Sequence, residues 1–359
     1  MARYDTLLSF SQDEIAYWKS RNIGKQRYTA FAKSFTAPDN EYVLFELKGG
    51  SIITHSEKPL SKRARTYRRL FEIVYKYFLS PETEIAVPCL LGDLARGCGE
   101  IPLLSFQMNK MDNIVLLPDF ECLFHFYERR EWRDPYSYSE KYRRAIFSGA
   151  ATGALNSIAT IDRNERIRLA RYFEGNPDVT FKLPKVCQCD SEETEAYLRS
   201  FSFCQGRAIP MREQFKYRFI ISVDGNGATC SRVSLVLKSN SVLLKYKSDH
   251  VAWFHKMLVP WVHYVPINSE EDISECIKIA ASNDDLFQEM ARKSREFYCE
   301  FHKRDDILRY TAVIINELYG LFDSNEIYLG NRAQIDAQSG LAPRIECELQ
   351  NFRHRIFGR

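Results

Sequence analysis

Residues 217–245 read YRFIISVDGNGATCSRVSLVLKSNSVLLK, an apolar run, a turn holding Asp224, Gly225, Asn226 and Gly227, then Arg232 and two further apolar runs. Tyr217 to Val223 has the continuous apolar character of a strand buried on both faces. Ser231 to Ser239 suits a packed helix, and Ser241 to Lys245 another strand. Strand, turn, helix and strand in succession describe a doubly wound α/β sheet, whose ligands sit beyond the carboxyl ends of the strands. Glycines there permit close backbone approach, and the following helix start offers N–H groups to phosphate oxygens. Arg232 adds a guanidinium suited to a diphosphate. A tight turn with glycine at positive φ is the competing reading. Calcium is disfavoured, because ATCSRV supplies none of the alternating carboxylates, and G-x-G-x-x-G is incomplete with Cys230.

Outward from this stretch the α/β alternation continues. RRAIFSGAATG (143–153) reads as a strand entering a glycine turn, NERIRLARYF (164–173) as a helix, VTFKL (179–183) as a strand and SEETEAYLRSF (191–201) as a helix. WVHYVPI (261–267) reads as a strand, followed by a helix from Ser269 or Ser274, and two helices over 283–302 and 305–322 close this half. Upstream, SQDEIAYWKSRN suggests a helix capped at Ser11. EYVLFELKGGSIITH (41–55) alternates about Gly49-Gly50 as a hairpin does, and residues 62–79 carry helical apolar spacing. EIAVPCLL, IPLLSF and NIVLLPDF follow as short strands. The charged, aromatic segment ERREWRDPYSYSEKYRR (128–144) interrupts the pattern. The expected division is therefore 1–140, 141–325 and a tail, 326–359, packed back on the first domain or on a membrane surface.

Composition narrows the function classes. Of 359 residues, 45% are hydrophobic and 27% charged, with a net charge of +3, too small to argue for nucleic acid. The basic runs KPLSKRARTYRR (58–69) and NFRHRIFGR (351–359) suit a solvated face or an anionic surface. Ten cysteines lack framework spacing, and CQC (187–189) is too tight for a zinc knuckle, so free, mostly buried thiols are expected. No basic-then-apolar leader opens the sequence and no run approaches a membrane span. If the chain is full length, these features lead to the expectation of a cytoplasmic protein, with the arginines and phenylalanines of 341–359 suited to peripheral contact with the inner face of the membrane.

Two further elements carry chemistry. LLPDFE (116–121) puts Asp119 just past a buried strand, where a carboxylate serves as a general base or caps a turn. IFSGAATG (146–153) gathers small residues at a strand end, room for a nucleotide or simply for a neighbouring helix. His263, among aromatics in PWVHYVPI (260–267), suits a core histidine better than a catalyst. No nucleophile elbow, P-loop or metal spacing of histidines occurs.

Taken together, FKYRFIISVDGNGATCSRVSLVLKSNSVLLK and WFHKMLVPWVHYVPI resemble glycosyltransferase family 90. That group holds protein O-glucosyltransferases, capsule-associated xylosyltransferases and bacterial lipopolysaccharide glycosyltransferases. The elements are Lys216 to Phe219, Asp224 to Gly227, Arg232, Ser239 to Val242 and Trp253 through Pro266. EKYRRAIFSGAATG, NERIRL and LLPDFE match further family elements, so the likeness covers about residues 113–325 and is weak before residue 80.

The resemblance implies a GT-B enzyme, two Rossmann-like domains facing across a cleft, that inverts the anomeric configuration and uses no divalent metal or other cofactor. Asp119 matches the catalytic base. Arg166 and Arg232 match arginines on the diphosphate of a UDP-sugar. Gly149, Ala150, Gly225 and Gly227 match small residues lining the donor, and Asp224, Lys245 and Asp249 complete the implied donor-binding set. Departures are Ser148, where many members have arginine, and Asp249 in place of a glutamate. With the short spacing from Asp119 to Phe147, they argue against a folded-protein acceptor. The expected activity is transfer of glucose or xylose to a glycan or glycolipid in lipopolysaccharide or capsule biosynthesis. Ser148 also motivates the alternative of a catalytically silent glycan-binding or scaffolding protein.

Overall fold

The computed structural model describes residues 15–37, 41–93, 96–119, 133–228, 230–301, 304–323 and 327. The expected cap at Ser11 and the tail 328–359, with its membrane contact, lie outside the described residues. The chain divides into two compact units, Met1–Arg130 with His302–Arg359, and Glu131–Phe301.

In the first unit, α1 (Lys25–Ser34) precedes a hairpin of β1 (Tyr42–Lys48) and β2 (Ser51–His55). Gly49 and Gly50 turn it at φ of 56° and 74°, the left-handed pair that a two-residue hairpin turn requires. In α2 (Lys62–Phe78), Tyr67, Leu70, Phe71, Val74 and Phe78 are buried at the spacing of one helix face. Ser61 caps that helix through its hydroxyl, which accepts the Ala64 N–H at 3.0 Å. Much of the basic run 58–69 is its solvent face. Arg63 pairs with Asp93, and Arg68 and Arg69 pair with Glu72. After β3 (Ile85–Leu90) come two short ladders, β4 (Leu104–Ser105) and β5 (Val115–Leu116). The sheet runs β2-β1-β3-β4-β5. Its β2-β1-β3 side is antiparallel, opening with the hairpin expected over 41–55, and its β3-β4-β5 side is parallel, so it is a mixed sheet. A two-residue turn can join only antiparallel strands, which accounts for the β1–β2 pair.

The second unit is doubly wound. Its elements are β6 (Tyr142–Ala150), α3 (Glu165–Tyr172), β7 (Val179–Lys185), α4 (Glu192–Arg199), β8 (Tyr217–Ser222), α5 (Cys230–Lys238), β9 (Val242–Tyr246), β10 (Val265–Ile267), α6 (Glu270–Ser282) and α7 (Asp284–Phe301). All four ladders are parallel and the order is β10-β9-β8-β6-β7. In order of appearance that is 2-1-3-4-5, which puts the reversal of winding between β6 and β8, the position where such sheets hold ligands. Phe219, Ile220 and Ile221 in β8 are buried on both faces, as the apolar run predicts. WVHYVPI is strand only over Val265–Ile267. Trp261 instead adopts a left-handed φ of 62° and donates its N–H to the Tyr264 carbonyl at 2.7 Å. The chain then returns to the first unit as α8 (Arg304–Tyr319), which packs on α2. The seven described cysteines are free, three of them buried and Cys299 exposed, so thiol burial is less general than expected.

Candidate functional site

The loops that leave β6 and β8 meet at the winding reversal, and Arg166 joins them. It sits in the first turn of α3, whose cap Asn164 accepts the Arg166 N–H at 3.0 Å. The side chain is buried at 7% exposure. Its Nε donates to the Asp224 carbonyl at 2.9 Å and Nη2 to the Val223 carbonyl at 2.8 Å. Nη1 donates to the Ala150 carbonyl at 2.9 Å and the Thr152 hydroxyl at 2.8 Å. Four of the five N–H bonds of a guanidinium are thus engaged with the two loops. Burial pushes the group down to about 10, which leaves it charged at neutral pH.

Arg232, half-buried in the first turn of α5, comes to the same place. Its Nη2 donates to the Ser148 carbonyl at 2.7 Å and its Nη1 to Gln214 Oε1 at 2.8 Å. Both guanidiniums lie on the Phe147 ring, at 4.5 Å for Arg232 and 5.3 Å for Arg166, and Phe147 stacks on Phe181. Burial and the adjacent Arg166 charge push Arg232 down to about 9. Helix starts normally carry acidic side chains, which the positive dipole end favours. Two cations at two such starts form a local concentration of positive charge at the carboxyl edge of a parallel sheet, the arrangement that attracts a phosphate.

The glycines serve this packing. A Cβ on Gly225 would lie 2.5 Å from the Thr152 hydroxyl and 3.0 Å from Arg166 Nη2. One on Gly149 would meet the Phe147 ring at 2.9 Å. Gly225 therefore makes room for the protein's own side chains, and its φ lies outside the left-handed region. Gly227 is buried and Ala150 half-buried beside them. Asn226 crosses between the loops, its Oδ1 accepting the Gly153 N–H at 3.2 Å. The Asp224 carboxylate accepts from the Ser248 hydroxyl and pairs with His250 Nδ1 at 3.2 Å, fastening the β8 loop to the segment after β9. Lys245 is half-buried near the end of β9, and Asp249 is exposed in the next loop. Sequence alone does not single out Thr152, Gln214 or Phe147. Phe147 and Thr152 belong to the IFSGAATG element, Thr152 in its T-G, whereas nothing local marks Gln214.

Asp119 belongs to the first unit, three residues past β5, and is fully buried. Two buried tyrosines fix the chain just before it. Tyr67 from α2 donates to the Pro118 carbonyl at 2.6 Å, and Tyr310 from α8 to the Leu116 carbonyl at 3.0 Å.

Comparison with known proteins agrees with the resemblance. Glycosyl transferase family 90 matches residues 155–351, more than half of the chain. The chain belongs to glycosyltransferase family 90. Relatives include the uncharacterized protein 179R of Invertebrate iridescent virus 6, 27% identical over 209 residues, 52% of this chain and 18% of the relative. Protein O-glucosyltransferase 1 of Rattus norvegicus is 25% identical over 167 residues, 43% of this chain and 42% of that one. Protein O-glucosyltransferase 2 of Danio rerio is 28% identical over 142 residues, 34% and 28% of the two chains. The chain spans less than half the length of each of these relatives. Among the described residues no helix is long and apolar enough to cross a membrane.

Proposed function

We propose that this family 90 glycosyltransferase moves a sugar from a UDP-sugar to a hydroxyl of a glycan or glycolipid, with inversion at the anomeric carbon. The observation that carries the reading is the convergence of Arg166 and Arg232 on the Phe147 ring at the winding reversal of a parallel sheet. Arg232 faces the diphosphate and stabilises the charge that grows on the leaving UDP, while Arg166 holds the two loops in register and adds its field. Because cationic side chains do this, the transfer proceeds without a divalent metal. Asp119 in the first unit takes the proton of the acceptor hydroxyl as that oxygen attacks. A single displacement with one base inverts the configuration. The two α/β units suit the GT-B class. Glucose and xylose are the candidate sugars, and lipopolysaccharide or capsule biosynthesis is the setting that a glycan acceptor suggests.

A second reading, transfer to a protein hydroxyl, is favoured by the relatives named protein O-glucosyltransferase. An assay of UDP release over a panel of UDP-sugars, with and without EDTA and with glycan or protein acceptors, tests both. Release with a glycan acceptor, unaffected by chelation, is expected. No turnover and no binding of any UDP-sugar would sink the proposal, and activity confined to protein acceptors would transfer it to the second reading.

A further inference from the structure

Arg232 is held by two oxygens that carry no charge, Gln214 Oε1 and the Ser148 carbonyl. Among the described residues it meets no carboxylate, and the Asp224 side chain in the neighbouring turn is engaged with Ser248 and His250. Gln214 sits on the single turn Met211–Gln214 and is buried at 2% exposure. Its amide orientation follows from its partners. The guanidinium can only donate, so it faces Oε1, and the carbonyls of Ile209 at 2.7 Å and Ser148 at 3.4 Å can only accept, so they face Nε2. A guanidinium withdrawn even partly from water is stabilised by a carboxylate partner. A glutamate at 214 would have the same shape and would supply one. The chain instead uses the neutral isostere.

We infer that Gln214 is a positioning residue for the donor, whose amide oxygen orients the Arg232 guanidinium without neutralising it, leaving the cation for the donor diphosphate. The inference rests on the donor-site reading above. Two substitutions separate charge from packing, because both remove the Nε2 donor. Gln214→Met deletes the acceptor, and Gln214→Glu keeps it but makes it anionic. UDP and uridine are titrated into each protein by calorimetry, uridine lacking the diphosphate. Gln214→Met is expected to weaken UDP about threefold to tenfold, and Gln214→Glu to weaken it at least about tenfold beyond that, with uridine changed less than about twofold in either. Equal UDP affinities for the two variants, or parallel losses of UDP and uridine, would overturn the inference and leave Gln214 a packing residue. Should the glutamate variant not fold, unaltered UDP affinity in Gln214→Met alone overturns it. Wild-type protein that binds no UDP at all would reject the donor-site reading itself, a distinct result.

Discussion

Replacing Arg166 by lysine keeps the positive charge and removes the fork. The guanidinium reaches four acceptors with bonds of 2.8 to 2.9 Å, two carbonyls in the β8 loop and a carbonyl and a hydroxyl in the β6 loop. A lysine ammonium has three N–H donors on one atom and cannot span both loops, so at least two of the four acceptors, which are buried or partly buried, lose their partner. At about 1–2 kcal/mol for each oxygen left unpaired away from water, Arg166→Lys should destabilise the protein by about 2–4 kcal/mol. Arg232→Lys is the control. That side chain is half-buried and makes two bonds, so the expected loss is smaller, about 1 kcal/mol. Urea unfolding followed by circular dichroism measures both, and UDP titration on the folded variants reads the site. Both variants should bind UDP more weakly, Arg166→Lys through disordered loops and Arg232→Lys through the lost fork. Stability of Arg166→Lys within about 0.5 kcal/mol of wild type would refute the claim that this guanidinium holds the loops together.

Gly225→Ala should destabilise by about 1–3 kcal/mol in thermal or urea unfolding, and Thr152→Ala in the same chain should recover part of it by removing the closest contact. Asp119→Asn should lower transfer by about 10²- to 10⁴-fold while leaving UDP binding within about twofold, as separate turnover and calorimetric assays would show. His263 accepts the Val259 N–H through Nδ1 at 3.0 Å, and burial, with Lys293 nearby, holds its pKa below the ordinary 6.5. The unfolded chain then binds more protons, so this stabilisation is complete above pH 6.5 and is lost as pH falls below it. Unfolding curves between pH 8 and 5 should show a steeper acid loss in wild type than in His263→Asn.

The second unit is largely legible in the sequence because its pattern is local. Continuous apolar runs of parallel strands alternate with capped helices, and Asn164, Ser191 and Ser269 stand where the helices begin. Arg166 and Arg232 stand out through family motifs, and the structure brings them onto one ring. Their partners are not legible. Gln214 lies on a single helical turn, and its importance comes from contacts with Ser148 and Arg232, 66 and 18 positions away. The glycines read as room for a ligand, whereas at Gly225 the space is filled by Thr152 and Arg166, which only three-dimensional packing reveals. In the first unit, IPLLSF and NIVLLPDF read as strands from their apolar character, and each holds one only two residues long, at Leu104–Ser105 and Val115–Leu116. The WVHYVPI run resembles a strand because its residues favour one, and the left-handed Trp261 overrides that propensity.

The most direct test of the central claim is calorimetric titration of UDP into the wild-type protein and Arg232→Gln, in EDTA and at two salt concentrations. Wild type should bind with a dissociation constant below about 1 mM, more weakly at high salt, and Arg232→Gln should lose at least about tenfold. Absence of binding by wild type, or equal binding by the two proteins, would contradict the assignment of the two arginines at the β6–β8 junction to a nucleotide-sugar site.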